Sequence, residues 1–331
     1  MAPPNLDLDG FQRLLWTFAG HRVVTVAGRT GVLRLLAEKD ATPNDVASEL
    51  GLDGLAAGKV LRTLCALGIV ESEGDNYRVV TPLRSHFLPG DANLLPFLEH
   101  SHAMYERWGA NLEPWLRGEG WGTAERTPEE VRRFGAAMRA MGSQMARRAA
   151  AVLDLDGVDR VLDVGGGWGH FSKALCERRP GLRATVLDIP EVTELAAADL
   201  AGVELGDLID FLPGDYLETD YGSDYDLVLF ANVLHQESGE RAAEMVRRGA
   251  EALAPDGRVV VVDFAIDDAQ REHLLGTLFA VNMRSFGDTW PEPVIHGWMS
   301  AAGLREVERT NLGPDRWIIS GRKPSGLGVK S

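Results

Sequence analysis

Apolar residues recur at helical spacing across residues 6–36, where Leu14, Leu15, Phe18, Val23, Val26, Val32 and Leu35 mark the stripe. Thr42-Pro43 then opens a short helix carrying Val46, Ala47 and Leu50, with Thr42 as cap and Pro43 in the first turn. Gly51 ends it, a second helix covers 55–67, and Gly68 ends that. The spacing changes at 69–71 and 77–80, which read as two strands joined through Glu73-Gly74-Asp75-Asn76. Helix, turn, helix and hairpin predict a winged helix, in a mainly helical N-terminal domain over residues 1–95.

Residues 81–150 stay helical in pattern but are cut by Pro82, Pro89, Pro96 and Pro114. Phe134, Met138, Met141 and Met145 recur at i, i+4, i+7 and i+11 and so share one helix face. Such residues usually pack a core, yet Met and aromatic side chains also line pockets for flat apolar ligands. Residues 96–150 are read as a helical linker that lends Met104, Trp108, Phe134, Met138 and Met141 to a substrate pocket. Asn282, Met283 and Phe286, in the helical stretch 272–286, are expected to complete it.

From residue 151 strands and helices alternate. The stretch 161–188 reads VLDVGGGWGHFSKALCERRPGLRATVLD: an apolar strand, a glycine-rich turn, an amphipathic helix and a second apolar strand ending on Asp188. Further apolar runs fall at 208–212, 225–230 and 258–264, with helices over 241–253 and 296–302. Two closing strands lie at 304–309 and 316–321. This order predicts an α/β domain over 151–322 with a mostly parallel sheet and an edge hairpin. Residues 323–331 read as a flexible tail.

Composition narrows the partners. The 331 residues hold 34 Lys+Arg against 49 Asp+Glu, a net charge of −15. Residues 1–80 hold 8 basic and 10 acidic side chains, and the would-be recognition helix offers only Lys59 and Arg62. A groove-reading helix needs more cations than that, so a DNA-binding regulator is disfavoured and the winged helix is read as a packing and dimerisation module. Cys65 and Cys176 lack metal-ligand spacing, and no apolar run approaches a membrane span. A cytoplasmic enzyme with no nucleic-acid or membrane partner is expected.

The chemistry gathers at the carboxyl ends of the strands, where open α/β sheets bind ligands. The loop after the first strand runs Asp163-Val164-Gly165-Gly166-Gly167-Trp168-Gly169. Its glycines let backbone lie against a ligand. An acid before them repels phosphate but suits S-adenosylmethionine (SAM), which carries a sulfonium and an ammonium. Asp188 is placed to accept ribose hydroxyls, and Asp215, in Gly214-Asp215-Tyr216, the adenine amino group. Ile189 and Asn232 flank the same rim. His235 directly follows a buried strand, and Asp263 ends the neighbouring one. A histidine oriented by a carboxylate is an arrangement for general-base work near neutral pH.

On these motifs the chain resembles the small-molecule O-methyltransferases of the caffeic acid, acetylserotonin and hydroxyneurosporene type. The likeness covers residues 11–321 through DVGGGWG, VLDIP, GDY and NVLHQ. It implies a homodimer, a Rossmann-like SAM-binding domain with a seven-stranded sheet, a histidine base and S-adenosylhomocysteine as product. Two departures stand out. The family's His-Asp-Trp is here His235-Gln236-Glu237, and its late supporting glutamate has only Asp288 or Glu292 as counterparts. Glu292 therefore joins His235 and Asp263 as a catalytic candidate. The departures also leave open a methyltransferase acting on nitrogen or carbon, or a relative using SAM for another reaction.

Overall fold

The structure is a computed structural model that describes residues 7–90, 92–120, 127–268, 273–283, 287–313 and 315–325. The chain forms two compact units, one ending at Gln144 and the other running from Met145. Of residues 96–150, expected to form a helical linker, 96–144 fall within the first unit and 145–150 within the second.

In the first unit, α1 (Leu8–Arg29) and α2 (Val32–Glu38) precede α3 (Pro43–Leu50) and α4 (Gly54–Ala66). The Thr42 hydroxyl accepts from the Asp45 backbone while the Asp45 carboxylate accepts from the Thr42 backbone, a reciprocal cap that fixes where α3 starts. Strands β1 (Val70–Glu73) and β2 (Asn76–Val79) form an antiparallel hairpin. Leu33, Leu36, Val46, Leu61, Leu64, Val70 and Val79 make its core. After α5 (Thr81–Arg84) the long α6 (Leu95–Leu116) lies along α1. His21 meets Ser101 at 2.8 Å, and Arg22 and Arg29 pair with Glu106 and Glu99 at 3.1 and 2.9 Å. Pro96 sits in the first turn of α6 and Pro114 in its last, so neither cuts it as the sequence suggested.

Helix α7 (Pro128–Val152) crosses the divide. In the second unit β3 (Arg160–Val164), α8 (His170–Arg178), β4 (Arg183–Asp188), α9 (Pro190–Leu200) and β5 (Ile209–Pro213) build half of the sheet. The other half holds β6 (Tyr225–Ala231), α10 (Gly239–Ala252), β7 (Leu253–Phe264), α11 (Leu274–Met283), α12 (Glu292–Ala301), β8 (Arg305–Gly313) and β9 (Arg316–Arg322). The seven strands run β5-β4-β3-β6-β7-β9-β8, parallel except for β9, which is antiparallel to both neighbours.

Alternation along the central strands decides which helix meets which face. Leu162, Val164, Val228, Phe230, Val259 and Val261 pack with Met245 and Val246 of α10 and Met299 of α12. Val161, Leu227, Leu229, Val260 and Val262 pack on the other face with Phe171 and Leu175 of α8 and Ala146 and Ala149 of α7. A parallel sheet covered on both sides needs near-continuous apolar strands, as these are.

Candidate functional site

Strand order reverses between β3 and β6, so the carboxyl ends of those strands open a crevice. Beyond β3 the chain turns on Gly165 and Gly167, with φ of +67° and +57°. The Gly165 N–H donates to the Leu187 carbonyl at 2.7 Å. Asp188, ending β4, reaches back: its Oδ2 accepts from Gly167 N–H and its Oδ1 from Ile189 N–H, each at 2.8 Å. Burial raises the Asp188 carboxyl above its usual range, while those two backbone bonds oppose the rise.

Asp163 lies lower than the loop sequence suggests. It is fully buried, Ser172 Oγ donates to it at 2.8 Å, and a Cβ on Gly166 would stand 2.5 Å from its carboxyl carbon. Burial pushes this carboxyl up to about 7, against the opposing Ser172 bond. Oδ2 thus braces the loop from beneath. Oδ1, like Asn232 Oδ1, is buried without a donor. Orphaned acceptors of this kind fit a ligand that brings N–H or O–H groups.

After β5, the Gly214 N–H donates to the Asp188 carbonyl at 2.9 Å, which sets this turn beside the first. Asp215 is exposed, and its Oδ1 accepts from Leu217 N–H at 2.7 Å. The Tyr216 hydroxyl donates to Glu237 Oε1 at 2.5 Å, and Arg241 pairs with the other Glu237 oxygen. Burial and that carboxylate hold the Tyr216 hydroxyl far above its usual range. In the sequence Glu237 is only a departure from a family tryptophan. In the structure it ties the turn after β5 to the turn after β6.

His235 sits in a single 3₁₀ turn (Leu234–Gln236) directly after β6 and is 3 % exposed. Its Nδ1 lies 2.7 Å from Asp263 Oδ1, and that oxygen also accepts from Phe264 N–H at 2.8 Å. An acceptor there makes Nδ1 the protonated nitrogen and leaves Nε2 as the basic one. Phe279 and Phe264 stand edge-on to the ring at 4.8 and 5.6 Å between centroids. The turn is clamped from the segment before α12. Trp290 Nε1–H donates to the Leu234 carbonyl at 3.1 Å, and a Cβ on Gly287 would collide with the His235 carbonyl. Neither clamp carries a sequence signal beyond a lone glycine and a lone tryptophan.

The structure turns Glu292 away from this arrangement. It faces β8, where Arg309 Nη1 donates to its Oε2 at 2.5 Å, so the carboxylate that holds His235 is Asp263. Asp288 caps its own turn, accepting from Thr289 N–H at 2.7 Å. Among the pocket candidates of the second unit, Asn282 and Met283 are half-buried on α11, and Phe286 lies outside the described residues. In the first unit Met104, Trp108, Phe134 and Met138 are half-buried and Met141 is exposed. Helix α7 buries small residues instead, Ala137 in the first unit and Ala146, Ala149 and Ala150 in the second.

Comparison with known proteins places the chain in a family. The profile of an O-methyltransferase domain family matches residues 105–303. The chain is 30 % identical to the tetracenomycin polyketide synthesis 8-O-methyl transferase TcmO of Streptomyces glaucescens, covering 94 % of this chain and 96 % of that protein. It is 31 % identical to the mitomycin biosynthesis 6-O-methyltransferase of Streptomyces lavendulae, over 90 % and 89 %. The crystal structure of human N-acetylserotonin methyltransferase, in complex with SAM, superposes with a TM-score of 0.83 at 24 % identity, covering 98 % of this chain and 100 % of that one. At that identity it speaks for the fold.

The state of Asp163 gives a stability prediction. Its carboxyl is raised from 3.8 to about 7 in the folded chain, so between those values the folded state holds the extra proton. Stability from this group therefore falls as pH rises from about 4 to about 7 and levels off above. Asp163→Asn is neutral throughout. Relative to wild type it should gain about 2–4 kcal/mol between these limits, measured by urea unfolding at both. Parallel pH dependence in the two proteins would show that the carboxyl does not titrate in this window.

Proposed function

The chain belongs to the O-methyltransferase domain family, and from that premise we propose that it methylates a hydroxyl of a small aromatic metabolite, with His235 as general base. The observation that carries the choice of oxygen is the buried Nδ1–Asp263 bond. A phenol must lose its proton to become a strong nucleophile, whereas a neutral amine needs no such base. SAM, when bound, supplies a methyl group on a cationic sulfur. Gly165 and Gly167 bring backbone close to that ligand, Asp188 takes its ribose hydroxyls, the orphaned oxygen of half-buried Asn232 meets one of its donors, and Asp163 holds the loop from beneath. Asp215 serves the adenine side. His235 Nε2 accepts the acceptor's proton while Asp263 holds the ring's tautomer and steadies the charge it gains. Phe264 and Phe279 keep that corner apolar. Half-buried Asn282 and Met283 on α11 supply surroundings for the acceptor, and relatives named for tetracenomycin polyketide synthesis and mitomycin biosynthesis support a small secondary metabolite in that role.

The winged helix and α1 belong, in this reading, to a homodimer. Helix α1 is held to α6 through His21, Arg22 and Arg29, yet Phe11, Leu14, Leu15, Trp16 and Phe18 are all exposed, Trp16 at 71 %. An apolar surface of that size calls for a partner. A cytoplasmic location is supported by the two free cysteines, Cys65 and Cys176.

Three measurements test this reading. Asp188→Ala should weaken SAM binding by about 1–3 kcal/mol in calorimetry, the worth of charge-assisted hydrogen bonds to the ribose; an unchanged affinity removes Asp188 from the site. His235→Ala should leave SAM affinity intact and cut turnover about 10²–10⁴-fold on whichever hydroxynaphthalene or hydroxyanthracene the wild type methylates best. Wild-type turnover in that variant would point to an already nucleophilic nitrogen or carbon as acceptor. Light scattering at micromolar concentration should find a dimer, whose interface is expected to bury about 2,000 Å² or more. A monomer, or a dimer undisturbed by Trp16→Glu, rejects α1 as the interface.

A further inference from the structure

The turn after β5 and the turn after β6 leave strands that are not neighbours. In the sheet β4 and β3 lie between β5 and β6, so no ladder bond joins those two ends of the rim. From β5 to β6 the chain runs through residues 214–224 without helix or strand. That segment is held to α10 instead. Arg248 donates through Nη1 to the Leu217 carbonyl and through Nη2 to the Thr219 carbonyl, and its guanidinium lies over the Tyr221 ring at 4.8 Å. Arg241, on the same face of α10, holds Glu237.

Glu237 differs from these anchors in belonging to both ends of the span. Its backbone N–H donates at 3.2 Å to the Leu234 carbonyl, the oxygen that Trp290 also holds, and so closes the turn that carries His235. Its side chain accepts from the Tyr216 hydroxyl at 2.5 Å. Tyr216 directly follows Gly214 and Asp215, the residues of the turn that meets Asp188. Glu237 is only 6 % exposed, and burying a carboxylate costs stability that an apolar side chain of similar volume would not forfeit. What the carboxylate supplies is a fixed connection between two turns that the sheet leaves unconnected.

We propose that Glu237 is a positioning residue that couples those turns: seating the cofactor against the turn after β5 is passed through Tyr216 to Glu237 and stiffens the turn that carries His235. The inference rests on the reading that the turn after β5 serves the cofactor and that His235 is the base. It adds that the base is held firmly only once the cofactor is bound, which suits a reaction governed by alignment.

Hydrogen exchange read by mass spectrometry on the full chain, alone and saturated with S-adenosylhomocysteine, tests this without an acceptor. The amides to follow are those of Gln236 and Glu237, which donate to the Val233 and Leu234 carbonyls. In the wild type the ligand should slow their exchange by about fivefold or more, the lower end of ordinary coupling between sites. Tyr216→Phe, saturated with the same ligand, should lose that slowing, although any contact between the ligand and Asn232 survives in it. Glu237→Met should lose the slowing too. Glu237→Gln, which keeps an oxygen for the Tyr216 hydroxyl, should retain it. Both Glu237 variants take the carboxylate from Arg241, so a role in stability alone would lower both melting temperatures and would not separate them. Slowing that persists in Tyr216→Phe, or that is lost in Glu237→Gln and Glu237→Met alike, overturns the proposal. The Gly214 and Leu217 amides report the cofactor seat in the same experiment. Their protection in the wild type without that of the histidine turn removes the coupling and leaves the cofactor site and the base in place. If instead His235→Ala retains turnover, the base assignment falls while the difference in exchange stands.

Discussion

The hydrogen bond between His235 and Asp263 exists because β6 and β7 are parallel neighbours that end at the same rim. Pairing of Phe230 with Val261 and Ala231 with Val262 fixes where each strand stops, to within one residue. A slip of one position would turn Asp263 to the opposite face of the sheet and leave the histidine without its carboxylate. The bond is therefore bought by the whole apolar interior, since only a sheet packed on both faces holds register that firmly. Around it every contact serves to stop the short turn from moving: Trp290 on the Leu234 carbonyl, Gly287 against the His235 carbonyl, Glu237 between Tyr216 and Arg241.

The cofactor side follows the same rule with different materials. Asp188 ends β4 and holds the glycine loop that ends β3, while its own carbonyl takes Gly214 from the turn after β5. Three strand ends are thus joined by hydrogen bonds from one residue. Tyr216 carries the connection on to Glu237 and so to the histidine turn. The glycine loop and the histidine turn are thus parts of one hydrogen-bonded rim.

Much of this was legible in the sequence because strand ends have a plain signature: an apolar run that stops on a polar residue. That rule found Asp163, Asp188, His235 and Asp263, and the run of glycines found the loop. It did not find Glu237, because its role depends on residues brought from another strand by the sheet order, which no local pattern encodes. It misjudged Glu292, whose candidacy came from resemblance; the fold aims it at Arg309 on β8 instead. It also misread Pro96 and Pro114 as breaks, since a proline at either end of a helix costs that helix little. On α7 the eye goes to the methionines, yet the positions that pack deepest are alanines, which let a helix approach its neighbours closely.

The placement of charge separates the parts of the second unit more sharply than its topology does. In the interior of β3, β6 and β7 the described side chains are almost all aliphatic or aromatic, and Asp163 is the one ionisable group fully enclosed among them. Glu237 and Asp263 lie at the rim, each close to an opposite charge or a backbone donor. Buried ionisable groups generally destabilise a fold, and their gathering at one edge means that the sheet tolerates there what it excludes elsewhere. Asp163 marks the boundary between the two regimes. Its β3 neighbours Leu162 and Val164 belong to the apolar interior, while its carboxyl, held by Ser172 and covered by Gly166, supports the loop where the rim begins.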